Sequence, residues 1–181
     1  MRMMWQMWEA GQASLADELN ELCEQYPVQK AMIGAQDAND EVRRSQIRWI
    51  EDQTIRNQMY QYGQLANREA FGFDISYIPQ VQHTIYQAED FGHYDWHIDT
   101  FWDSPRCFDR KISVIIQLSD GDEYEGGDFE LDPQYQQPNR DALRKKGTVF
   151  VFPSFVRHRV TPVTKGVRKS LVGWIEGPCF K

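Results

Sequence analysis

Cysteine is scarce in this chain: 181 residues contain three, Cys23, Cys107 and Cys179, an odd number with no CxxC spacing. Such a set supports neither a disulfide framework nor a cysteine zinc site, and plain reduced thiols are expected. Long apolar runs are missing as well. The most apolar stretches, residues 112–118 and 148–153, fall far short of the roughly 20 residues that a membrane-crossing helix needs. Residues 1–9 place polar side chains inside what would have to be the apolar part of a secretory signal, so a cytoplasmic protein is expected. There is no internal repeat, low-complexity tract or Gly/Ser/Pro-rich linker, which leaves residues 1–181 as one expected domain with a sizeable core. A basic excess is also absent. Twenty Lys and Arg against 27 Asp and Glu give a net charge of −7, which argues against a nucleic-acid partner. The imbalance is uneven, with seven basic and sixteen acidic residues in 1–100 and thirteen and eleven in 101–181. Nothing in the sequence speaks to oligomeric state.

What the chain does contain changes character along its length. Ser14 followed by Asp17 resembles a capping box, and Leu15, Leu19, Leu22 and Tyr26 recur at helical spacing until Pro27. After a polar loop at 35–40, residues 42–50 alternate like a strand, and Ile55, Met59, Tyr62 and Ala66 predict a second helix. From Phe71 the pattern turns to short β-branched and aromatic runs: 71–75, 81–86, 112–118, 129–131, 148–152 and 170–175, separated by Gly, Pro and Asp-Gly turns. The expected fold is therefore mainly β, a sandwich or barrel, with N-terminal helices over about 1–79 packed against it.

The richest stretch is Tyr94-Asp95-Trp96-His97-Ile98-Asp99. On a strand His97 and Asp99 project from one face and can share a metal ion. On a helix His93 and His97 would do so instead, but Gly92 and the bulky neighbours disfavour a helix. Alone, an HxD pair is weak evidence. Fifty-nine residues after Asp99 comes His158, and ten further on, past Pro162 and Gly166, comes Arg168, a spacing that allows the two to face each other on a hairpin. Two histidines and one carboxylate form a facial triad suited to Fe(II), with three positions open for a chelating 2-oxo acid and O₂. A buried arginine then offers a bidentate partner for the far carboxylate of such an acid.

The chain from about residue 80 to 178 resembles the prolyl-4-hydroxylase-like 2-oxoglutarate and Fe(II)-dependent dioxygenases, and among them the PKHD-type hydroxylases. The resemblance rests on Tyr86, Tyr94-x-x-His97-x-Asp99, Ser113-x-x-x-Gln117-Leu118-Ser119, Tyr124-Glu125-Gly126-Gly127, Gly147, Phe152-Pro153-Ser154-Phe155-x-x-His158-Arg159-Val160-x-Pro162-Val163 and Gly166-x-Arg168-x-Ser170-Leu171-x-Gly173-Trp174. It implies a double-stranded β-helix (jelly-roll) core over about 80–178. It also implies His97, Asp99 and His158 on iron and Arg168 on 2-oxoglutarate, with Tyr86, Gln117 and Ser170 as further contacts. Fe(II), 2-oxoglutarate and O₂ are the implied cofactors, with ascorbate as an optional addition. The implied reaction hydroxylates an unactivated C–H bond, releasing succinate and CO₂, on a peptidyl residue with proline first, or on a free amino acid or other small molecule. Nucleic-acid demethylation and a non-catalytic metal-binding sensor are weaker readings.

Bland roles are expected elsewhere. Tyr94 and Trp174 read as core aromatics, the seven acids between Asp120 and Asp132 as a solvated loop, and Arg144, Lys145 and Lys146 as a surface turn. The loop from Met32 to Arg44 is expected to shape the entrance.

Overall fold

The computed structural model describes residues 4–10, 13–31, 41–102 and 106–181. The polar stretch 35–40, and with it most of the expected entrance loop, lies outside the described residues. Along the chain run β1 (Gln6–Trp8), α1 (Ala13–Glu24), β2 (Gln29–Lys30), β3 (Arg43–Arg44), β4 (Gln46–Ile50), α2 (Gln53–Ala66), β5 (Tyr77–Gln87), β6 (His93–His97), β7 (Phe108–Gln117), β8 (Tyr124–Gly126), β9 (Phe129–Leu131), α3 (Arg140–Arg144), β10 (Val149–Pro153), β11 (His158–Val160) and β12 (Val163–Pro178). An eight-stranded sheet has the order β1-β10-β7-β12-β5-β4-β2, with β8 also paired to β12. A four-stranded sheet, β3-β6-β11-β9, faces it. All the pairings are antiparallel. Crossovers between non-consecutive strands make this the expected double-stranded β-helix.

The two faces of the large sheet follow directly from the period of two along a strand. On β7 the outward residues Ile112, Val114 and Ile116 join Leu171 and Ile175 of β12 and Val149 and Val151 of β10 in a core beneath the helices. α2 contributes Ile55, Met59 and Ala66 to it, α1 contributes Leu19 and Cys23, and Asp52 caps α2 by accepting from Ile55 N at 2.9 Å. Gly63 lets α2 approach: a Cβ there would lie 2.0 Å from Ile175 Cδ1. The inward face is different. Ile115, Leu131, Phe150, Phe152 and Val156 fill one end between the sheets, while Gln82, Thr84, Ser113, Arg168 and Ser170 bring buried polar groups to the inner face of the large sheet.

Several local expectations are corrected. Residues 71–75 are no strand. Asn67 takes both backbone groups of Phe73, accepting from its N at 2.8 Å and donating to its O at 2.9 Å, while 67–71 form a π-helical turn ended by left-handed Gly72. Those side-chain bonds replace the ladder a strand would need. The 42–50 strand is two strands, β3 and β4, in different sheets. Ser14 lies inside α1, which already begins at Ala13, rather than at its cap.

The acidic stretch 120–132 is extensively paired: Asp128 with Arg140 and Arg144, Glu123 with Lys146, Glu125 with Lys165, Glu130 with Arg159 and Asp132 with Arg157. Arg144 is buried, not a surface residue. It donates to the carbonyls of Gly121, Tyr124 and Gly126 as well as to Asp128, and its guanidinium lies 4.0 Å from the Tyr124 ring centroid. This pins the loop that runs beneath Arg168. No helix among the described residues is long and apolar enough to cross a membrane.

Candidate metal centre

β6 and β11 are neighbours in the small sheet, and their register sets His97 directly opposite His158. Asp99 follows two residues after His97, where the chain has left β6; its N donates to Ser154 O at 2.8 Å, tying it to the end of β10. Ligand atoms of His97, Asp99 and His158 consequently all lie within 4.8 Å of one another. Asp99 Oδ1 is 3.7 Å from His97 Nε2, and Oδ2 is 3.6 Å from His158 Nε2. His93, the partner in the helical alternative, instead hydrogen-bonds the carbonyls of Phe91 and Glu41.

Each of the three side chains is held by a bond that leaves a potential ligand atom available. His97 Nδ1 donates to Asp95 O at 2.7 Å and His158 Nδ1 to Val156 O at 2.9 Å, which leaves the lone pair on Nε2 in both rings. Ser113 Oγ donates to Asp99 Oδ2 at 2.6 Å and touches Ser154 Oγ at 3.0 Å. Burial, and then the neighbouring His158, depress the His97 pKa to about 3, so the ring is neutral as a ligand must be. For Asp99 burial alone would favour the neutral acid, but His158, His97, Arg110 and the Ser113 hydroxyl outweigh it and hold the carboxyl below its usual range. Two imidazoles with an ionised carboxylate are the donor set that suits Fe(II).

Tyr86, Arg168, Ser170, Trp174 and Gln82 line the same cavity as the triad. Arg168 is 4% exposed and opposite Tyr86 in the β12/β5 register, its guanidinium 5.7 Å from that ring's centroid. No carboxylate among the described residues pairs with it. The hairpin expected between His158 and Arg168 does not exist, because β11 belongs to the small sheet and β12 to the large one; the two residues approach across the interior. Ser170 stands one pleat from Arg168 on the inner face. Gln117 is Ser170's register partner, yet its Nε2 is committed to Ser119 O at 3.0 Å and Tyr124 Oη at 3.1 Å, so it braces Tyr124 rather than lining the cavity.

Tyr94 and Trp174 are more than core. Tyr94 stacks on His97 with centroids 3.4 Å apart, burial raises its pKa to about 12, and both residues line the cavity. Two arginines were not singled out by sequence. Arg43 lines the cavity, and the Arg110 guanidinium lies 3.9 Å from the Trp174 centroid. The signal for Arg43 is a basic residue inside a predicted strand, whereas Arg110 stands two residues before the predicted strand at 112–118.

The family model described as "2OG-Fe(II) oxygenase superfamily" matches residues 81–176, which contain all three triad residues and Arg168. A PKHD-type hydroxylase from Synechococcus sp. (strain CC9311) is 38% identical over 92 residues, 51% of this chain and 40% of that protein. The matched segment thus spans about two fifths of that relative. Among solved structures, a Pseudomonas putida prolyl-4-hydroxylase superposes with a TM-score of 0.73 at 21% identity, covering 98% of this chain and 94% of its own. A Trichoplax adhaerens prolyl hydroxylase in complex with a hypoxia-inducible-factor peptide fragment gives 0.72 at 16%, covering 94% and 82%. The similarity to the solved structures carries the fold, and the family match, over more than half the chain and across the whole triad, carries membership: this chain belongs to the 2OG-Fe(II) oxygenase superfamily, whose cofactors are Fe(II), 2-oxoglutarate and O₂.

Proposed function

We propose that the protein hydroxylates an unactivated C–H bond of its substrate. The observation that carries this is one cavity in which a neutral His97, an ionised Asp99 and His158 converge beside a buried Arg168 that has no acid partner among the described residues. In this reading the triad holds iron, and Arg168 receives the distal carboxylate of 2-oxoglutarate, with the Ser170 hydroxyl and the Tyr86 edge beside it. With iron, 2-oxoglutarate and O₂ bound, the centre converts C–H to C–OH while 2-oxoglutarate becomes succinate and CO₂. The chain's own groups do the rest. The carbonyls of Asp95 and Val156 fix the imidazole tautomers, Ser113 fixes the carboxylate, and Ile115, Phe129, Val160 and Val172 give the cavity a water-excluding wall. Ser113, Tyr94 and Arg144 act as positioning residues.

The substrate reading is a peptidyl residue, proline first, supported by the prolyl hydroxylases that share the fold, one of them with a peptide bound. A free amino acid or other small molecule is the second reading, favoured by Arg43 in the cavity lining. A net charge of −7 opposes nucleic-acid demethylation. Three unpaired cysteines support a reducing, cytoplasmic setting. The test is succinate formation from 2-oxoglutarate with Fe(II) and O₂ in the absence of added substrate. Wild type should turn over slowly and His158→Ala should not bind Fe(II); iron bound without turnover under any substrate panel would leave a metal-binding module instead.

A further inference from the structure

We propose that Arg43 binds a carboxylate carried by the substrate, so that the enzyme acts on an acid. The inference rests on the hydroxylase reading above and adds the substrate class. Arg43 lies on β3 opposite Tyr94 of β6, lines the triad's cavity, and is 7% exposed. A guanidinium so deeply buried ordinarily has an acid beside it, because desolvating an unpaired cation is costly. Here it has none among the described residues. Its hydrogen bonds go to neutral acceptors, Nε to Ser45 Oγ at 2.9 Å and Nη2 to Gln82 Oε1 at 2.7 Å, and it stacks 4.5 Å from the Tyr94 centroid. Gln82 Oε1 also accepts from Thr84 Oγ1 at 3.1 Å, so the fork is held in place. Two of its five donors are used, and the others remain for a ligand.

Charge balance points the same way. Among the described residues, Asp99 is the only carboxylate lining the cavity. The charges of Fe(II), Asp99, 2-oxoglutarate and Arg168 cancel, so the loaded centre is neutral before any substrate enters and Arg43 is left as a surplus cation. Arg110, the other arginine nearby, has the Glu176 carboxylate among its neighbours. Arg43 and Arg168 enter the cavity from different sheets, β3 of the small one and β12 of the large one, and the Arg43 fork is held at Gln82, four residues along β5 from Tyr86, the register partner of Arg168. Arg43 lies over the Tyr94 ring, which itself stacks on His97, so a carboxylate on Arg43 would sit beside the triad.

Two sources can supply that carboxylate, the α-carboxylate of a free amino acid or the side chain of an acidic residue in a peptide. Binding is measured by calorimetry under anaerobic conditions on protein loaded with Mn(II) and 2-oxoglutarate, where no turnover occurs. The probes are the free L-amino acids against their carboxamides, and N-acetyl-Pro-Glu-amide against N-acetyl-Pro-Gln-amide. The expected result is a preference of about 10- to 100-fold for an acid over its amide, the size of one charge-assisted hydrogen-bonded pair. Amino acids showing it identify the free acid, and the dipeptide pair alone showing it identifies the peptide. Arg43→Gln should collapse that preference by weakening the acid and not the amide, and Arg43→Lys should restore part of it; a structural role would weaken both alike. Acids and amides binding equally, a preference that survives in Arg43→Gln, or no acid binding at all would overturn the proposal. Wild-type succinate formation without substrate reads the parent function separately, so the two can fail independently.

Discussion

Replacing Arg168 with Met should move stability and co-substrate binding in opposite directions. Arg168 is buried with no carboxylate partner among the described residues, so in the ligand-free protein it is a desolvated cation with the Tyr86 ring 5.7 Å away. Methionine has a similar length and no charge. Swapping buried ionic groups for apolar ones of like volume is commonly neutral to stabilising, and with the partial relief present here we expect about 1–2 kcal/mol. For a chain of this size that raises the melting temperature by about 2–8 °C. 2-Oxoglutarate tells the reverse story. Loss of a bidentate arginine–carboxylate pair at about 2–3 kcal/mol weakens binding about 30- to 150-fold. At a concentration of about 100 Kd the wild type should gain roughly 2.7 kcal/mol, or about 5–11 °C, and the variant only about 0.3–0.9 kcal/mol, or about 1–3 °C. Anaerobic scanning calorimetry with Mn(II), with and without 2-oxoglutarate, reads both numbers on one sample. A variant that melts several degrees lower alone yet keeps the full 2-oxoglutarate shift would refute the reasoning, since Arg168 would then be a paired structural cation.

Ser113→Ala removes the 2.6 Å donor to Asp99 Oδ2 and should weaken Mn(II) or Fe(II) affinity about 10- to 100-fold with little change in secondary structure by circular dichroism. Gly127→Ala should destabilise by about 1–2 kcal/mol through its φ of +61° and also weaken 2-oxoglutarate binding, because the new Cβ would stand 3.2 Å from Arg168 Cδ. Gly72→Ala, with φ +69° and nothing within 4 Å, is the control that should show the backbone cost alone in a denaturation midpoint. His83 is fully buried with neither ring nitrogen hydrogen-bonded among the described residues, and burial lowers its pKa to about 4. The unfolded chain takes up that proton near pH 6.5, so stability should fall as pH drops from about 6.5 to about 4, by at most about 1.4 kcal/mol per unit. Urea midpoints at pH 7 and pH 5 should differ less in His83→Leu than in wild type.

How much of this the sequence could carry depended on the range of each interaction. The helices at Leu15–Tyr26 and Ile55–Ala66 and the strands at 81–86, 112–118 and 129–131 were legible because their patterns are local, with apolar residues spaced to one side of a helix or filling both sides of a buried strand. The hairpin between His158 and Arg168 misled for the same reason: a ten-residue interval with a turn in it looks alike whether the strands pair or part into facing sheets, and β11 has its partners in β6 and β9, tens of residues away. The acidic stretch read as solvated because Arg140, Arg144, Arg157, Arg159 and Lys165 cannot be matched to particular acids until the strand pairing is known. One long-range signal was nonetheless present. Ile112, Val114, Ile116, Leu171 and Ile175 show which face of β7 and β12 is core, so Ser113, Gln117, Arg168 and Ser170, at the alternate positions of fully buried strands, demand polar surroundings the core cannot supply. Tyr86 and Gln82 repeat that phase on β5. A strand that is apolar on one face and buried but polar on the other has a site on that face.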